Sequence, residues 1–368
     1  MPDPSIASLE HIVVYRDQSY YAGWPFNGGF WQFADGELAV GFVRSRCDYQ
    51  SAGCVNHGHV DREQGEHVIV RSRDGGRTWP GESMTSVYTR PEFDETLKSA
   101  VVAGDPQHTL DPAADGFCLL SGFGIPPLDA PHLAWVMTST DRGRSWHEPV
   151  LLPQANRDDA GFSFLGGRPS YLLRDDGMLL LFVHGGRAAD KSGARPLVYA
   201  SPTGGTYWAP LSEVEMTPAL PKGIMPYPLQ LSDGTILIAV RREYGGGNAY
   251  TQIYASSDGG RSFHYRSRVN DWGAPANLTP LPDGRLLCVY GYRQPPYGIR
   301  ARVSHDTGHT WSGELIVRDD GGSGDLGYPR TILRPDGSLV TVYYFNCKDD
   351  PCQHNGGVRH IAATLWRV

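Results

Sequence analysis

The sequence predicts an all-β fold: a single β-propeller of four-stranded blades spanning residues 1–368. Two repeated signals and one compositional bias predict it. A phrase of the form Ser-x-Asp-x-Gly-x-Ser/Thr-aromatic occurs four times, as Ser72-Arg-Asp74-Gly-Gly76-Arg-Thr78-Trp79, Ser139 to Trp146, Ser256 to Phe263 and Ser304 to Trp311, and a fifth, eroded copy runs from Ser201 to Trp208. Asp-Gly pairs recur in phase with it, at Asp35, Asp115, Asp176, Asp233, Asp283 and Asp336. The 45 Gly and 28 Pro suit many short strands joined by tight turns.

Each signal has a local cause. In the phrase, the Asp accepts hydrogen bonds from the backbone just after it, the Gly supplies a positive φ, and the aromatic folds back over the turn. Each Asp-Gly pair is expected between two apolar strands. The cycle is therefore strand, Asp-Gly turn, strand, loop, strand, Asp-phrase, outer strand, which is the content of one propeller blade. Six cycles are counted. The sixth supplies three strands, Arg330–Leu333, Leu339–Phe345 and His360–Trp366, and its outer strand is expected from the N-terminus, at His11–Tyr15. Seven blades would follow if Tyr88–Thr109 held an irregular one. No segment shows a helical period, and no linker divides the chain.

Composition narrows the function. The net charge of -7 argues against a nucleic-acid partner. No apolar run approaches the roughly 20 residues of a membrane helix, so no membrane partner is expected. The start, Met1-Pro-Asp-Pro-Ser5, does not read as a signal peptide. An extracellular monomer is nevertheless expected, with disulfides at Cys47/Cys54 and Cys347/Cys352 and buried thiols at Cys118 and Cys288. Asn277-Leu-Thr279 matches a glycosylation triplet, a weak signal.

In this cycle the Asp-Gly turns and Asp-phrases share one end of the blades. The opposite end holds the start of each first strand and the loop between the second and third. Those segments carry Tyr21, Trp24, Asn27, Arg44 and Arg46 in blade 1, Arg168 and His184 in blade 3, Arg241, Arg242, Glu243 and Tyr244 in blade 4, Arg293 in blade 5, and Tyr328, Arg330 and Asn346 in blade 6. Arg offers a planar fork for a carboxylate, and Tyr and Trp offer faces for sugar rings. The bland reading of any one Arg is a solvated or ion-paired strand end. The sharpest local run is Asn56-His57-Gly-His59-Val-Asp61-Arg62, which in an extended chain puts His57, His59 and Asp61 on one side. That set suits a general base held by a carboxylate, or a divalent metal site. No cofactor is otherwise required, and the bland reading is a surface loop.

Together these residues resemble the sialidase superfamily of Asp-box (BNR) propellers, over the whole chain. The family's N-terminal Phe/Tyr-Arg-Ile-Pro motif is absent; the corresponding stretch reads Tyr21-Ala-Gly-Trp-Pro-Phe-Asn27. The Tyr nucleophile and its Glu partner have only positional counterparts in Tyr328 and Glu243. The chain is more similar to a branch acting on rhamnose-capped glucuronate of arabinogalactan, the rhamnosyl-glucuronate lyases and related α-L-rhamnosidases. The segments that carry this are Tyr21–Asn27, His57–Arg62, Gly327-Tyr-Pro-Arg330, Val342–Asn346 and Ile361–Trp366.

The resemblance implies β-elimination on an acidic oligosaccharide or polysaccharide. His57 or His59 would be the base and Tyr244 or Tyr328 the acid. Arg241, Arg293 and Arg330 would clamp the carboxylate or sugar, and Arg46, Asp61, Arg168, Arg242, Trp24 and Asn27 would contact substrate. Exo-hydrolysis by a sialidase or α-L-rhamnosidase is the alternative, and a non-catalytic glycan-binding propeller the third reading.

Overall fold

The structure is a computed structural model that describes residues 4–50, 55, 65–123, 134–154, 164–168, 170–186, 193–216, 222–245, 248–352 and 356–368. The fold is an all-β propeller of six blades. The chain divides into two compact units, one formed by Met1–Glu92 with Val269–Val368 and the other by Phe93–Arg268.

The first unit holds blades 1, 5 and 6. Blade 1 runs Tyr20–Gly23, Leu38–Arg46, Glu66–Ser72, Thr85–Thr89, with Phe30–Gln32 continuing its first strand. Blade 5 runs Ala276–Pro280, Leu286–Tyr292, Gly298–Ser304, Leu315–Arg318, and blade 6 runs Gly327–Leu333, Leu339–Phe345, His360–Arg367. The fourth strand of blade 6 is Ser8–Tyr15, antiparallel to His360–Arg367 with His11 opposite Thr364. The N-terminal strand thus closes the last blade as its sequence predicts. Between blades 5 and 6 the core is formed by side chains such as Leu287, Val289, Ile299, Tyr343, Phe345 and Trp366, all almost fully buried.

The second unit holds blades 2, 3 and 4. Blade 3 runs Phe164–Gly166 and Tyr171–Leu173, then Leu179–Gly186, Arg195–Ser201, Ala209–Glu213; blade 4 runs Gly223–Gln230, Ile236–Gly245, Asn248–Ser256, His264–Arg268. Blade 2 departs from the predicted cycle. Its strands are Cys118–Phe123, Ala134–Ser139 and Val150–Leu151, and Val101–Val102 adds a fourth, parallel to Val150–Leu151. No strand lies between Val102 and Asp115-Gly116. That stretch contains Pro106 and Pro112, and Asp105 and Asp111 turn the backbone by accepting hydrogen bonds from Gln107 N–H (2.8 Å) and Ala113 N–H (2.9 Å). The Tyr88–Thr109 connection hides no seventh blade: it contains a helix, Arg90–Leu97, that the sequence reading did not anticipate.

The Asp-phrases form the expected turns. Asp74 Oδ1 accepts from Ser72 Oγ (2.8 Å), Arg77 N–H (3.1 Å) and Thr78 N–H (2.9 Å), while Trp79 Nε1 donates to Gly76 O (2.9 Å). Partial burial works against its ionisation, but the hydrogen bonds from Thr78, Ser72 and Arg77 outweigh it and hold the carboxyl at about 2. In the eroded copy Thr203 stands in for the Asp, its Oγ1 accepting from Tyr207 N–H (3.0 Å), and Trp208 keeps its bond to Gly205 O (2.9 Å).

The expected Cys347–Cys352 disulfide is absent. Both are free thiols, because each sulfur faces another group: Arg318 Nη2 donates to Cys347 Sγ (3.6 Å), and Cys352 Sγ donates to Tyr49 O (3.4 Å). Cys47 is also a free thiol, and Cys54 lies outside the described residues. Cys118 and Cys288 are fully buried free thiols, as read from their apolar strands. Asn277 is fully buried within a strand, so the glycosylation triplet is closed to modification.

Candidate functional site

Each blade's first strand starts, and its second ends, away from the Asp-phrases. In blades 4 and 6 the first strand is bent there by the same device. Ile224 pairs with Arg241 and Tyr227 with Ala239; Gly327 pairs with Tyr344 and Arg330 with Val342. Three steps on one strand face two on the other, so each first strand carries one extra residue, a β-bulge. In both bulges a residue with positive φ precedes a proline: Met225 (φ 52) before Pro226, and Tyr328 (φ 53) before Pro329. Blade 1 repeats the left-handed residue at Trp24 (φ 62) before Pro25, and a helical turn, Pro25–Gly28, fills the gap. Left-handed backbone is uncommon without glycine, and strain of this kind concentrates at functional sites.

In the first unit these devices gather one constellation around Asp325. Tyr344 Oη donates to its Oδ1 (2.8 Å); Tyr21 Oη (2.8 Å) and Arg359 Nε (3.0 Å) donate to its Oδ2. Asn346 Nδ2 donates to the Asp325 carbonyl (2.8 Å), fixing the loop that carries it. Arg293 donates through Nη2 to Tyr344 Oη (3.4 Å) and through Nε to Leu326 O (3.1 Å), and lies over the Tyr328 ring at 5.3 Å. Its Nη1 has no hydrogen-bond partner among the described residues. Trp24 packs its ring against Tyr21 and Tyr344, with centroids at 5.5 and 6.2 Å.

The electrostatics follow from burial. Desolvation, with the Asp325 charge adding to it, pushes the Tyr21 and Tyr344 hydroxyls well above the ordinary phenol value, so both remain proton donors to the carboxylate. Burial opposes the charge on Arg293, but the surrounding Tyr344, Tyr328 and Asp325 outweigh it and keep the guanidinium charged. Tyr21, Tyr344 and Arg359 are fully buried, whereas the Asp325 side chain is 15% exposed and Arg293 is half-buried. Asp325 and Arg293 thus keep partial exposure, whereas the two phenols beside them are closed off. The arrangement can neutralise an anionic group and exchange a proton beside it.

The predicted residues fall in several places. Arg293, Tyr328 and Trp24 belong to this constellation. Arg330 serves its floor: Nε (3.1 Å) and Nη2 (2.8 Å) both donate to Phe26 O, holding the helical turn that carries Trp24 and Asn27. Asn27 Oδ1 is buried there and accepts no hydrogen bond from the described residues. Arg46 is exposed and stacks over Tyr20 at 4.5 Å. In the second unit, Arg168 lies over Phe123 at 5.0 Å. Arg241 pairs with Glu243 (3.1 Å), which Lys222 also contacts. Arg242 turns into the core, donating to Tyr254 Oη (2.8 Å) and to Met216 Sδ (2.6 Å). Tyr244 lies in the strand Ile236–Gly245, but its side chain is outside the described residues, as are His57, His59 and Asp61. Among the described residues no group of three or more His, Cys, Asp and Glu is placed to hold a metal.

Sequence reasoning missed Asp325 and Arg359. The available signals were slight: Asp325 stands two residues before Gly327-Tyr-Pro-Arg330, and Arg359 immediately precedes the last strand.

Fold and repeats define a sialidase-like β-propeller. The BNR repeat-like domain family matches residues 121–341, more than half of the chain, and the protein belongs to that family. No protein of curated function matches the sequence. Among solved structures, a protein of unknown function from Dyadobacter fermentans is similar with a TM-score of 0.77 at 23% identity, covering 99% of this chain and 100% of that one. A Hadza microbial sialidase superposes with a TM-score of 0.64 at 16% identity over 95% of this chain and 66% of the other. The α-L-arabinofuranosidase Arb93A of Fusarium graminearum does so with a TM-score of 0.58 at 16% identity, covering 98% of each. At these identities the likeness establishes the fold.

Proposed function

We propose that the protein is a carbohydrate-active enzyme that removes a terminal sugar from an acidic, uronate-bearing glycan, by β-elimination at rhamnose-capped glucuronate. The observation that carries this reading is Arg293, a charged, half-buried guanidinium with an open Nη1, one tyrosine away from the Asp325 carboxylate. Arg293 would pair with the uronate carboxylate and so acidify the adjacent C–H. Asp325 would take that proton, with His57 or His59 as the alternative base. The electron pair forms the double bond and expels the terminal sugar, whose oxygen takes a proton from a tyrosine hydroxyl such as that of Tyr328. The same reading carries the expectations of a secreted monomer.

Exo-hydrolysis is the second reading. It is favoured by the Tyr344–Asp325 contact, a phenol hydrogen-bonded to a carboxylate beside an arginine, and by a shared fold with proteins named as a sialidase and an arabinofuranosidase. Incubation with gum arabic and with sialyl-lactose separates the outcomes. An unsaturated uronate with released rhamnose supports elimination; rhamnose without unsaturation, or free sialic acid, supports hydrolysis. Saturable binding without any product would refute both. Arg293→Met should lower kcat/KM on the active substrate about a hundredfold.

A further inference from the structure

Arg241 and Glu243 stand two residues apart in the strand Ile236–Gly245, so both side chains leave the same face, while Arg242 between them turns away to Tyr254. Gly223 pairs with Arg242, which sets the preceding residue, Lys222, beside Glu243. Glu243 gives one oxygen to each cation: Oε2 accepts from Lys222 Nζ, and Oε1 lies 3.1 Å from Arg241 Nη2. Two cations thus share one carboxylate, and within the trio one positive charge is left over.

The pairing is incomplete on the arginine. The Nε and Nη2 donors of a guanidinium lie side by side on one edge and match the two oxygens of a carboxylate. Arg330 uses that edge in full, giving both donors to Phe26 O. Arg241 does not: its Nε is buried with no hydrogen-bond partner among the described residues, and Glu243 meets only Nη2. Arg241 is 9% exposed, so a buried cation keeps a donor without an acceptor, which is destabilising. Glu243 and Lys222 stand toward solvent, their side chains 18% and 35% exposed. Glu243 is stretched between its two partners and fills the arginine fork by half.

We propose that Glu243 is a built-in competitor at a carboxylate-binding site: a ligand carboxylate takes both donors of the Arg241 edge, and Glu243 withdraws to Lys222. The ligand is a small carboxylate or a sugar acid. The exchange gives Nε the acceptor it lacks and leaves Glu243 a cation of its own. The site uses none of the residues around Asp325, and the inference does not rest on glycan cleavage.

Calorimetric titration with sodium glucuronate, sodium acetate and uncharged glucose tests this at pH 7 and low salt. An Arg293→Met background removes the other proposed uronate clamp. Glu243→Gln should tighten Kd about five- to tenfold, because the competitor is gone. Arg241→Met should weaken it about tenfold or more, and Lys222→Met, which leaves Glu243 to Arg241 alone, about threefold. An ion pair that served folding alone would not give these opposite signs. The pattern with both acids upholds a site for carboxylates in general, and with glucuronate alone a sugar-acid site. Binding that Glu243→Gln leaves unchanged or weakens, binding that survives Arg241→Met, equal binding of glucose, or no binding of either acid overturns the inference. Thermal unfolding checks that each variant is folded, and the same substitutions in the wild-type background carry the test if Arg293→Met is not.

Discussion

Asp325→Asn tests whether the constellation is the charge network its geometry implies. The substitution keeps size and shape and changes one carboxylate oxygen into an NH2. The oxygen that remains can still accept from Tyr344. The other position faces Tyr21 Oη at 2.8 Å and Arg359 Nε at 3.0 Å, both donors. A tyrosine hydroxyl can rotate and accept instead; a guanidinium cannot. Arg359 is fully buried, and it also donates to Gly357 O (2.5 Å) and Ser323 Oγ (3.3 Å), neither of them charged. The variant therefore removes a charge-assisted bond from a buried cation, and breaking a buried pair costs about 3–5 kcal/mol. Against a domain stability of about 5–15 kcal/mol this is a large fraction, readable as a fall in the urea midpoint at pH 7. Arg359→Met in the Asp325→Asn background should recover much of the loss, giving a coupling energy of about 2–3 kcal/mol in the double-mutant cycle. A single-variant loss under about 1 kcal/mol, or additive effects of the two changes, would refute the network as described.

Three further outcomes are expected. Burial holds His67 and His360 at about 4, below the ordinary 6.5, so the native state keeps them neutral while the unfolded chain takes up protons; stability should fall by about 3 kcal/mol per histidine as pH drops from about 6.5 to 4, and the denaturation profile of His67→Gln should be flatter over that window. Gly28→Ala should cost about 3 kcal/mol or prevent folding, because a Cβ there would lie 1.8 Å from the Gly41 carbonyl oxygen, and thermal unfolding reads the loss directly. Cys347 and Cys352 should both be alkylated in the unfolded, unreduced protein, and reductant should leave the melting temperature unchanged; a mass spectrum showing the pair linked would contradict the free-thiol geometry.

The six blades were legible in the sequence because their turns are built from local rules. An Asp, a Gly and an aromatic within eight residues satisfy one another, and the bonds around Asp74 and Trp79 involve no residue outside that span. The helix Arg90–Leu97 was not legible; it buries only Phe93, so it leaves almost no apolar period to read. The missing first strand of blade 2 was readable in principle, from two prolines and two Asx turns, but the Asp-Gly rhythm overrode them. The site was the least legible part. Tyr21 and Asp325 are 304 positions apart, and Arg359 and Asp325 are 34 apart. Nothing local distinguishes an Asp that collects three distant donors from one that caps its own loop.

The bulges explain how a repeat that is nearly uniform at one end supports chemistry at the other. In blades 4 and 6 the extra residue falls at the same register, so Met225 corresponds to Tyr328 and Arg241 to Tyr344. The proline that follows lacks an N–H and would break a regular ladder; the bulge is where a strand can hold it. Once the backbone is set by that proline and by the left-handed residue before it, the two side chains are relieved of ladder duties and can differ between blades. Blade 6 places two phenols there, with Tyr344 given to Asp325; blade 4 places Met225 and an arginine that pairs with Glu243. The strain is stored in the backbone that the blades share, while the chemistry is written in the side chains that they do not. Replacing Tyr328 with glycine would relieve the left-handed strain and remove the ring beneath Arg293, so stability and catalysis should move apart: the backbone gain offsets part of the lost packing, whereas activity on any acidic glycan falls with the misplaced guanidinium. Equal losses in both would mean that the bulge serves folding alone.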